Sequence, residues 1–336
     1  MPDERILSAS RIKTLESCSW KYWCNYHQDL PRSSNAGASR GTVCHLVLEL
    51  LLSKRHKKYI KVITKAGTIE AVPSISRLVK KGLTELGYYD LDNHTMCDEM
   101  ILVALNCDFL GKDMGGKIKE PEKEFLLESE SPKFKIRGFI DKPVEYKTGV
   151  KMVDYKTSKQ KFTEYECEYN VQALAYLLAA KQIWPKLKES SIEFQFLKFP
   201  EQPIIEIKAT EDQLEGFKYY LEHIYAIINN FTEQEAHSNF AKDQPRPKKG
   251  EGFKGPLNCG FAKRPDQLKK DGTPMWYCEY KFAYDYYVLL GEKGRVLKAT
   301  KDRESLEGLE GVIEERHYEG CPAHPQPNKV KDDFDF

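Results

Sequence analysis

Apolar positions recur along this chain with two periods, one helical and one extended, and together they lay out its elements. Ser8 or Ser10 can cap a first helix reaching about Tyr26, aromatic at Trp20, Tyr22, Trp23 and Tyr26. Val43, Leu46, Val47 and Leu50 predict an apolar stripe on a second helix over about 38–54. Helical patterning returns over 74–111, with turns near Gly87 and Asn93. Extended segments follow at about 121–128, 133–141 and 150–156, then a helix over about 168–183 that Pro185 ends. Ser191-Ile-Glu-Phe-Gln-Phe-Leu197 alternates strictly and reads as a half-buried strand; Pro203 to Lys208 reads as another. Thr210-Glu-Asp-Gln213 is a capping box that opens a long helix to about Asn230. Elements in this order predict an α/β core, with helices packed on a mixed sheet.

The pattern then changes. Residues 1–240 read as one core, helical over 1–115 and sheet-forming over 118–240, and 241–257, rich in Pro, Gly and Lys, read as a linker. Residues 258–325 read as a small cysteine-containing module with a hairpin, Tyr286–Leu290 to Arg295–Lys298 across Gly291-Glu-Lys-Gly294. Residues 326–336 form an acidic tail too polar to fold.

A chain of 336 residues can bury one large core, or one core and a small module. The apolar fraction of 40% is that of a globular protein, and the net charge of +1 excludes a global polycation. Contact with nucleic acid must therefore come from local patches: Lys54-Arg-His-Lys-Lys58, Arg246-Pro-Lys-Lys249, or Lys263-Arg264 with Lys269-Lys270. No transmembrane run is present and the N-terminus, Met1-Pro-Asp-Glu-Arg5, is charged, so a cytoplasmic protein with no membrane partner is expected. Nine cysteines in such a chain point to metal binding or core packing before disulfides.

The chemistry gathers at Gly138-Phe-Ile-Asp141 and Met152-Val-Asp154-Tyr-Lys156. Strand side chains alternate faces, so Asp154 and Lys156 share one side and Tyr155 takes the other. The turn Glu145-Tyr-Lys-Thr-Gly149 makes an antiparallel hairpin plausible and would bring Asp141 near Asp154. A bare Asp-x-Lys is most often a solvated ion pair. Here Ile136, Phe139, Ile140, Met152 and Val153 flank it, and charges among buried strand residues need partners or a metal.

Four motifs carry a family resemblance. They are Ser8-Ala-Ser-Arg-Ile-Lys-Thr-Leu-Glu-Ser-Cys18, Gly41-Thr-Val-Cys-His45, the Gly138–Asp141 and Val153-Asp-Tyr-Lys-Thr157 pair, and Gln172-Ala-Leu-Ala-Tyr176. In this order they resemble the PD-(D/E)XK nuclease superfamily, and within it the RecB-like nucleases and CRISPR-associated exonucleases. The resemblance implies a restriction-endonuclease-like α/β core, a mixed central sheet flanked by helices, with a helical N-terminal region. It implies Mg²⁺ or Mn²⁺ held by His45, Asp141, Asp154 and the backbone carbonyl of Tyr155, with Asp141, Asp154, Lys156 and Glu122 as catalytic residues. Glu124 shares a strand face with Glu122 and is the other candidate, and Glu49 can orient the His45 ring from one turn away. Gln172 and Tyr176 would lie beside the site, near the nucleic-acid backbone.

Some of these nucleases, AddB among them, tie their ends together with a four-cysteine [4Fe-4S] cluster. The resemblance assigns that role to Cys18, Cys259, Cys278 and Cys321. Zn²⁺ held by Cys259, Cys278, Cys321 and His324 is the alternative, and plain packing of thiols a third. Cys24, Cys44, Cys97, Cys107 and Cys167 are expected to pack in helices or loops.

The implied function is a metal-dependent DNA nuclease, an exonuclease on single strands or DNA ends in replication, recombination or repair. Its alternatives are a binding module of the same fold without activity, and a sequence-specific endonuclease. No Gly-x-x-x-x-Gly-Lys-Ser/Thr motif is present, so a helicase would be a separate partner, as would a single-strand-binding protein. The tail Asp332-Asp-Phe-Asp-Phe336 is either a solubilising end or an acidic tip that competes with DNA for the groove.

Overall fold

The computed structural model describes residues 4–113, 115–244, 259, 264, 266–270, 272 and 275–324. Most of the expected linker, the patch Arg246–Lys249, Lys263 and the whole acidic tail therefore lie outside the described residues. In chain order the elements are α1 (Ala9–Ser17), α2 (Ser19–Tyr26), α3 (Ala36–Leu52), α4 (Lys58–Ala66), α5 (Pro73–Glu85), α6 (Leu91–Asn106), β1 (Lys117–Ile118), β2 (Lys123–Glu130), β3 (Lys133–Ile140), β4 (Lys142–Glu145) and β5 (Gly149–Lys156). They continue as α7 (Glu164–Glu168), α8 (Val171–Ile183), β6 (Glu189–Phe196), β7 (Ile204–Ile207), α9 (Glu211–Asn229), α10 (Glu233–Ala236), β8 (Tyr284–Leu290), β9 (Val296–Thr300) and β10 (Val312–Tyr318).

The first of two compact units comprises the residues up to Ala9 together with Ser34–Asn229. Its five-stranded sheet has the order β1-β4-β5-β6-β7. Only β5 and β6 run parallel, through the α8 crossover; the other neighbours are antiparallel. This is the mixed α/β core the sequence predicts. β2 and β3 form a separate two-stranded sheet, so the chain changes sheets at Asp141. The expected hairpin is present, but β4 pairs with β5 across Tyr146–Thr148, Lys142 opposite Val153.

The core of this unit fills the space between α3, α4, α5, α6 and one face of β5. The buried stripe of α3 is Val43, Cys44, Val47, Leu48 and Leu51, while Leu46 is 45% exposed. The stripe is thus rotated from the expected one, because α5 and α6 both pack on α3 and cover the Cys44–Leu48 side. The basic stretch ending at Lys58 leads into α4, an amphipathic helix that buries Ile60 and Ile63. Asp90, whose carboxylate accepts from Asn93 N–H at 2.6 Å, caps α6, so the break falls three residues before the expected turn at Asn93. Residues 191–196 are buried on both faces, not one, because β6 sits between β5 and β7. The polar members of that alternation pair internally: Lys151 meets Glu193 at 2.9 Å, and Gln195 donates to Glu193 at 2.7 Å. Thr210 and Gln213 exchange the expected capping hydrogen bonds at 2.8 and 3.2 Å, and α9 follows.

The second unit joins Ser10–Ser33 to the described residues from Asn230 onward, so the N-terminal helices group with the cysteine module and not with the sheet core. The expected first helix is broken at Cys18, whose backbone is extended (φ −173, ψ 115) between α1 and α2. The expected hairpin is β8–β9, and a third strand, β10, pairs along the whole of β8. Trp20 donates to the Tyr318 hydroxyl at 2.8 Å, which in turn donates to the Tyr280 carbonyl at 2.9 Å.

Candidate functional site

Asp141 stands at the joint between β3 and β4, and the joint aims its carboxylate at the neighbouring strand. Its Oδ2 accepts the Tyr155 amide N–H at 2.8 Å and lies 3.3 Å from His45 Nδ1. The other ring nitrogen, Nε2, is 3.0 Å from the Tyr155 carbonyl. Both nitrogens of His45 are thus engaged by Asp141 and Tyr155, and Glu49, which is exposed, does not orient the ring as the sequence reading had it. Gly41 eases this approach: a Cβ there would lie 2.8 Å from Thr157 Oγ1 and would force that side chain to turn away.

Glu122 precedes β2 with a left-handed backbone (φ +50), and its N–H donates to the Asp141 carbonyl at 3.1 Å. That bend turns its carboxylate inward. Ligand atoms of His45, Glu122 and Asp141 all lie within 4.8 Å of one another. Glu124 is exposed, so of the two candidates Glu122 is the one at the site.

Asp154 and Lys156 share a sheet face as expected, and Tyr155 points into the opposite core. Asp154 is 3% exposed. Its Oδ1 accepts from Gln172 Nε2 at 2.6 Å, and its Oδ2 lies 2.7 Å from Lys156 Nζ at an angle too poor for a hydrogen bond. Lys156 donates to Gln172 Oε1 at 2.7 Å, so the one amide of Gln172 holds the acid and the ammonium together. Asn170 caps the N-terminus of α8 and places Gln172 in its first turn. Gln172 also donates to Tyr176 Oη at 2.9 Å, and that hydroxyl donates to the Phe139 carbonyl. Gly138 makes room for this: a Cβ would lie 2.6 Å from the Phe125 ring and 3.4 Å from the Tyr176 ring. Asp154 is not in the group of ligand atoms within 4.8 Å; its two oxygens lie against Gln172 and Lys156.

The electrostatics are those of crowded carboxylates. Burial, and then the charge of Asp141, raise Glu122. Burial also raises Asp154, with Lys156 opposing it and Asp141 adding to it. At His45 burial works downward, but the hydrogen bond and charge of Asp141, then Asp154 and the Tyr155 carbonyl, lift it to about 9. The carboxylates around His45 thus favour positive charge at this place, which a bound cation would supply instead of a proton. One imidazole, carboxylates and a backbone carbonyl form the hard oxygen–nitrogen set that suits Mg²⁺ or Mn²⁺. The residues present fit a divalent cation.

Sequence reasoning missed Lys142. It is 1% exposed beside Asp141, donates to the Phe109 carbonyl at 3.3 Å, and lies over the Phe109 and Tyr155 rings. Burial pushes it down to about 8. A lysine one step past a strand-ending aspartate reads in sequence as surface, and nothing local marks it as core.

In the second unit Cys18, Cys259, Cys278 and Cys321 line one cavity with His324, Lys281 and Lys242. Four thiols from separate segments thus converge, and both the cluster set and the zinc set are present. Backbone bonds hold two of these segments together: Cys278 N–H donates to Cys259 O at 3.2 Å, and Lys281 N–H closes the turn on Cys278 O at 3.0 Å. Burial raises Cys278 to about 11 and Cys321 to about 12. A metal centre supplies the positive charge that would make them thiolates. Cys24, Cys44 and Cys97 are buried as expected, and Cys107 and Cys167 half-buried.

A model of the PD-(D/E)XK nuclease superfamily matches residues 6–246. The chain belongs to that superfamily. It is therefore a member of a family of phosphodiester-cleaving nucleases that generally use divalent metals and bind DNA, and a His45–Glu122–Asp141 group able to hold a metal ion is present within the matched residues. A candidate exonuclease from Eubacterium rectale is similar in structure at 12% identity and a TM-score of 0.41, over 74% of this chain and 92% of its own. The protein SSO0001 is similar at 15% identity and a TM-score of 0.27, over 64% of this chain and 87% of its own. No curated protein matches the chain. No helix among the described residues is long and apolar enough to cross a membrane.

Proposed function

We propose that this superfamily member is a RecB-like, metal-dependent DNA exonuclease, acting on single strands or DNA ends in replication, recombination or repair. The observation that carries the reading is the shared grip of Gln172 on Asp154 and Lys156, next to the His45–Glu122–Asp141 group. His45, Glu122, Asp141, Asp154 and the Tyr155 carbonyl would hold Mg²⁺ or Mn²⁺. When bound, such an ion lowers the pKa of a coordinated water and neutralises charge on the scissile phosphate.

The side chains of the protein do the rest. Lys156 directs one N–H to Gln172 and leans on Asp154, which leaves N–H capacity for a phosphate oxygen or the attacking water. The ammonium is fixed before substrate arrives, so no reorganisation is spent when charge develops on the phosphate. Tyr176 holds Gln172 in register through its hydroxyl.

We also propose that Cys18, Cys259, Cys278 and Cys321 hold a [4Fe-4S] cluster, with Zn²⁺ on Cys259, Cys278, Cys321 and His324 as the rival occupant. Convergence of the thiols on one cavity supports a metal centre. It would act as a staple, because ligation free energy becomes folding free energy.

End-labelled linear single-stranded DNA, with a circular single strand as the control, tests the nuclease reading in Mg²⁺ and Mn²⁺. Progressive loss of the linear strand and survival of the circle is the expected result. Cleavage of the circle makes it an endonuclease, and no cleavage of either strand with either metal overturns the reading.

A further inference from the structure

Arg40 lies on the buried side of α3, one residue before Gly41 and five before His45. It is 7% exposed. Its Nη1 donates to the Asn93 side chain, while its Nε is buried without a partner. A guanidinium carries five N–H donors and keeps its charge at any working pH, so a buried one is normally met by a carboxylate. Among the described residues none bonds it.

Two more cations share this place. The N–H of Leu197 donates to the Lys156 carbonyl at 2.9 Å, so Lys198 leaves β6 beside the catalytic end of β5. Lys159 lies in the exposed loop that follows β5. Burial, then the charges of Arg40 and Lys159, hold Lys198 below its ordinary value. Neither lysine makes an ion pair or side-chain hydrogen bond among the described residues. The close approach of Gly41 to Thr157 brings Arg40 to the same end of the sheet. Three cations that repel one another, with no carboxylate of the described residues among the charges that act on Lys198, form a place for an anion.

We propose that Arg40, Lys159 and Lys198 form a subsite for one backbone phosphate of the substrate strand, beside the scissile bond. The lysines reach the phosphate, and Arg40 supplies fixed charge from behind. Five residues of helix from Arg40 to His45 rise only about 7.5 Å, so the subsite lies close to the proposed metal site. The subsite thus sets the register of the strand without reading bases. The inference rests on the nuclease reading above and adds how the strand is held.

The test uses the full chain and a single-stranded oligonucleotide series in which one phosphodiester at a time is an uncharged methylphosphonate. Binding is measured without added divalent metal, so that no strand is cut. Wild-type binding should fall about tenfold at one position, as expected for loss of one charge-assisted contact. The Lys159→Gln/Lys198→Gln variant should bind the unmodified strand about tenfold more weakly and lose sensitivity at that one position. Its salt slope should be smaller by about one to two. Arg40→Lys, which keeps the charge, should retain the positional sensitivity, and Mn²⁺ affinity by calorimetry should be unchanged in all variants. The inference is overturned if the double variant keeps the wild-type salt slope, or keeps the wild-type response to every methylphosphonate. Intact cleavage together with that result sinks the subsite alone; wild-type protein that neither binds nor cuts a strand sinks the nuclease reading with it.

Discussion

Gln172 is the residue through which the site can be probed while every proposed metal ligand and Lys156 stay in place. Gln172→Ala removes three hydrogen bonds: to Asp154 at 2.6 Å, from Lys156 at 2.7 Å and to Tyr176 at 2.9 Å. Two of them involve a charge, and such bonds contribute on the order of 1.5–3 kcal/mol each. Part of that loss falls on the ground state, because Asp154 is buried and keeps an oxygen without a donor. The share that reaches the transition state is the freedom given back to Lys156. We expect a fall in kcat of about 30- to 100-fold, which corresponds to about 2–3 kcal/mol of barrier. Lys156→Ala removes the charge itself and should cost more, about 3–4 kcal/mol by analogy with a deleted oxyanion donor. Since Gln172 acts through Lys156, the double variant should be no slower than Lys156→Ala alone. Single-turnover cleavage of a labelled single strand in Mn²⁺, with circular dichroism to verify the fold, gives all four corners of the cycle. If Gln172→Ala cuts at the wild-type rate, or its loss multiplies that of Lys156→Ala, Gln172 does not position the lysine.

Three further outcomes follow from the geometry. Glu122→Ala should weaken Mn²⁺ binding by at least about tenfold, as loss of a ligand or its close support does, while exposed Glu124→Ala should leave it unchanged; equal calorimetric isotherms for the two variants would remove Glu122 from the site. Lys142→Met should stabilise the fold by about 1–4 kcal/mol in urea at neutral pH, since a buried ammonium with no carboxylate hydrogen bond among the described residues is exchanged for an apolar isostere; a loss of stability would show that its charge is needed against Glu193 and Asp108. Cys18→Ser and Cys278→Ser should each bleach the same absorbance near 400 nm of anaerobically purified protein, and retention of full metal by Cys18→Ser alone would favour zinc with His324.

Much of the catalytic face was legible because strand alternation is rigid. Once 149–156 is a strand, Asp154 and Lys156 must share a side, and helix spacing likewise sets Gln172 under Tyr176. The split of the extended segments between two sheets was not legible, since Asp141 carries no bulge or glycine signal in sequence. The same holds for Glu122, whose left-handed backbone, not its strand parity, turns it inward. Burial of Glu193 and Gln195 escaped the alternation rule because a central strand must bury both faces whatever its polarity, and only the cross-strand pair with Lys151 makes that tolerable. The break at Cys18 lay hidden within an unbroken run of helix-compatible residues; the grouping of 10–33 with the C-terminal module depends on contacts more than 200 residues apart, such as Ser19 N–H to Asn239 O at 2.8 Å.

The most direct test of the central claim is Mn²⁺-dependent hydrolysis of single-stranded DNA by Asp154→Ala and Lys156→Ala proteins whose fold is verified. Both variants should lose turnover by a factor of about 10³, with strand binding retained. Turnover close to wild type in both would contradict the account.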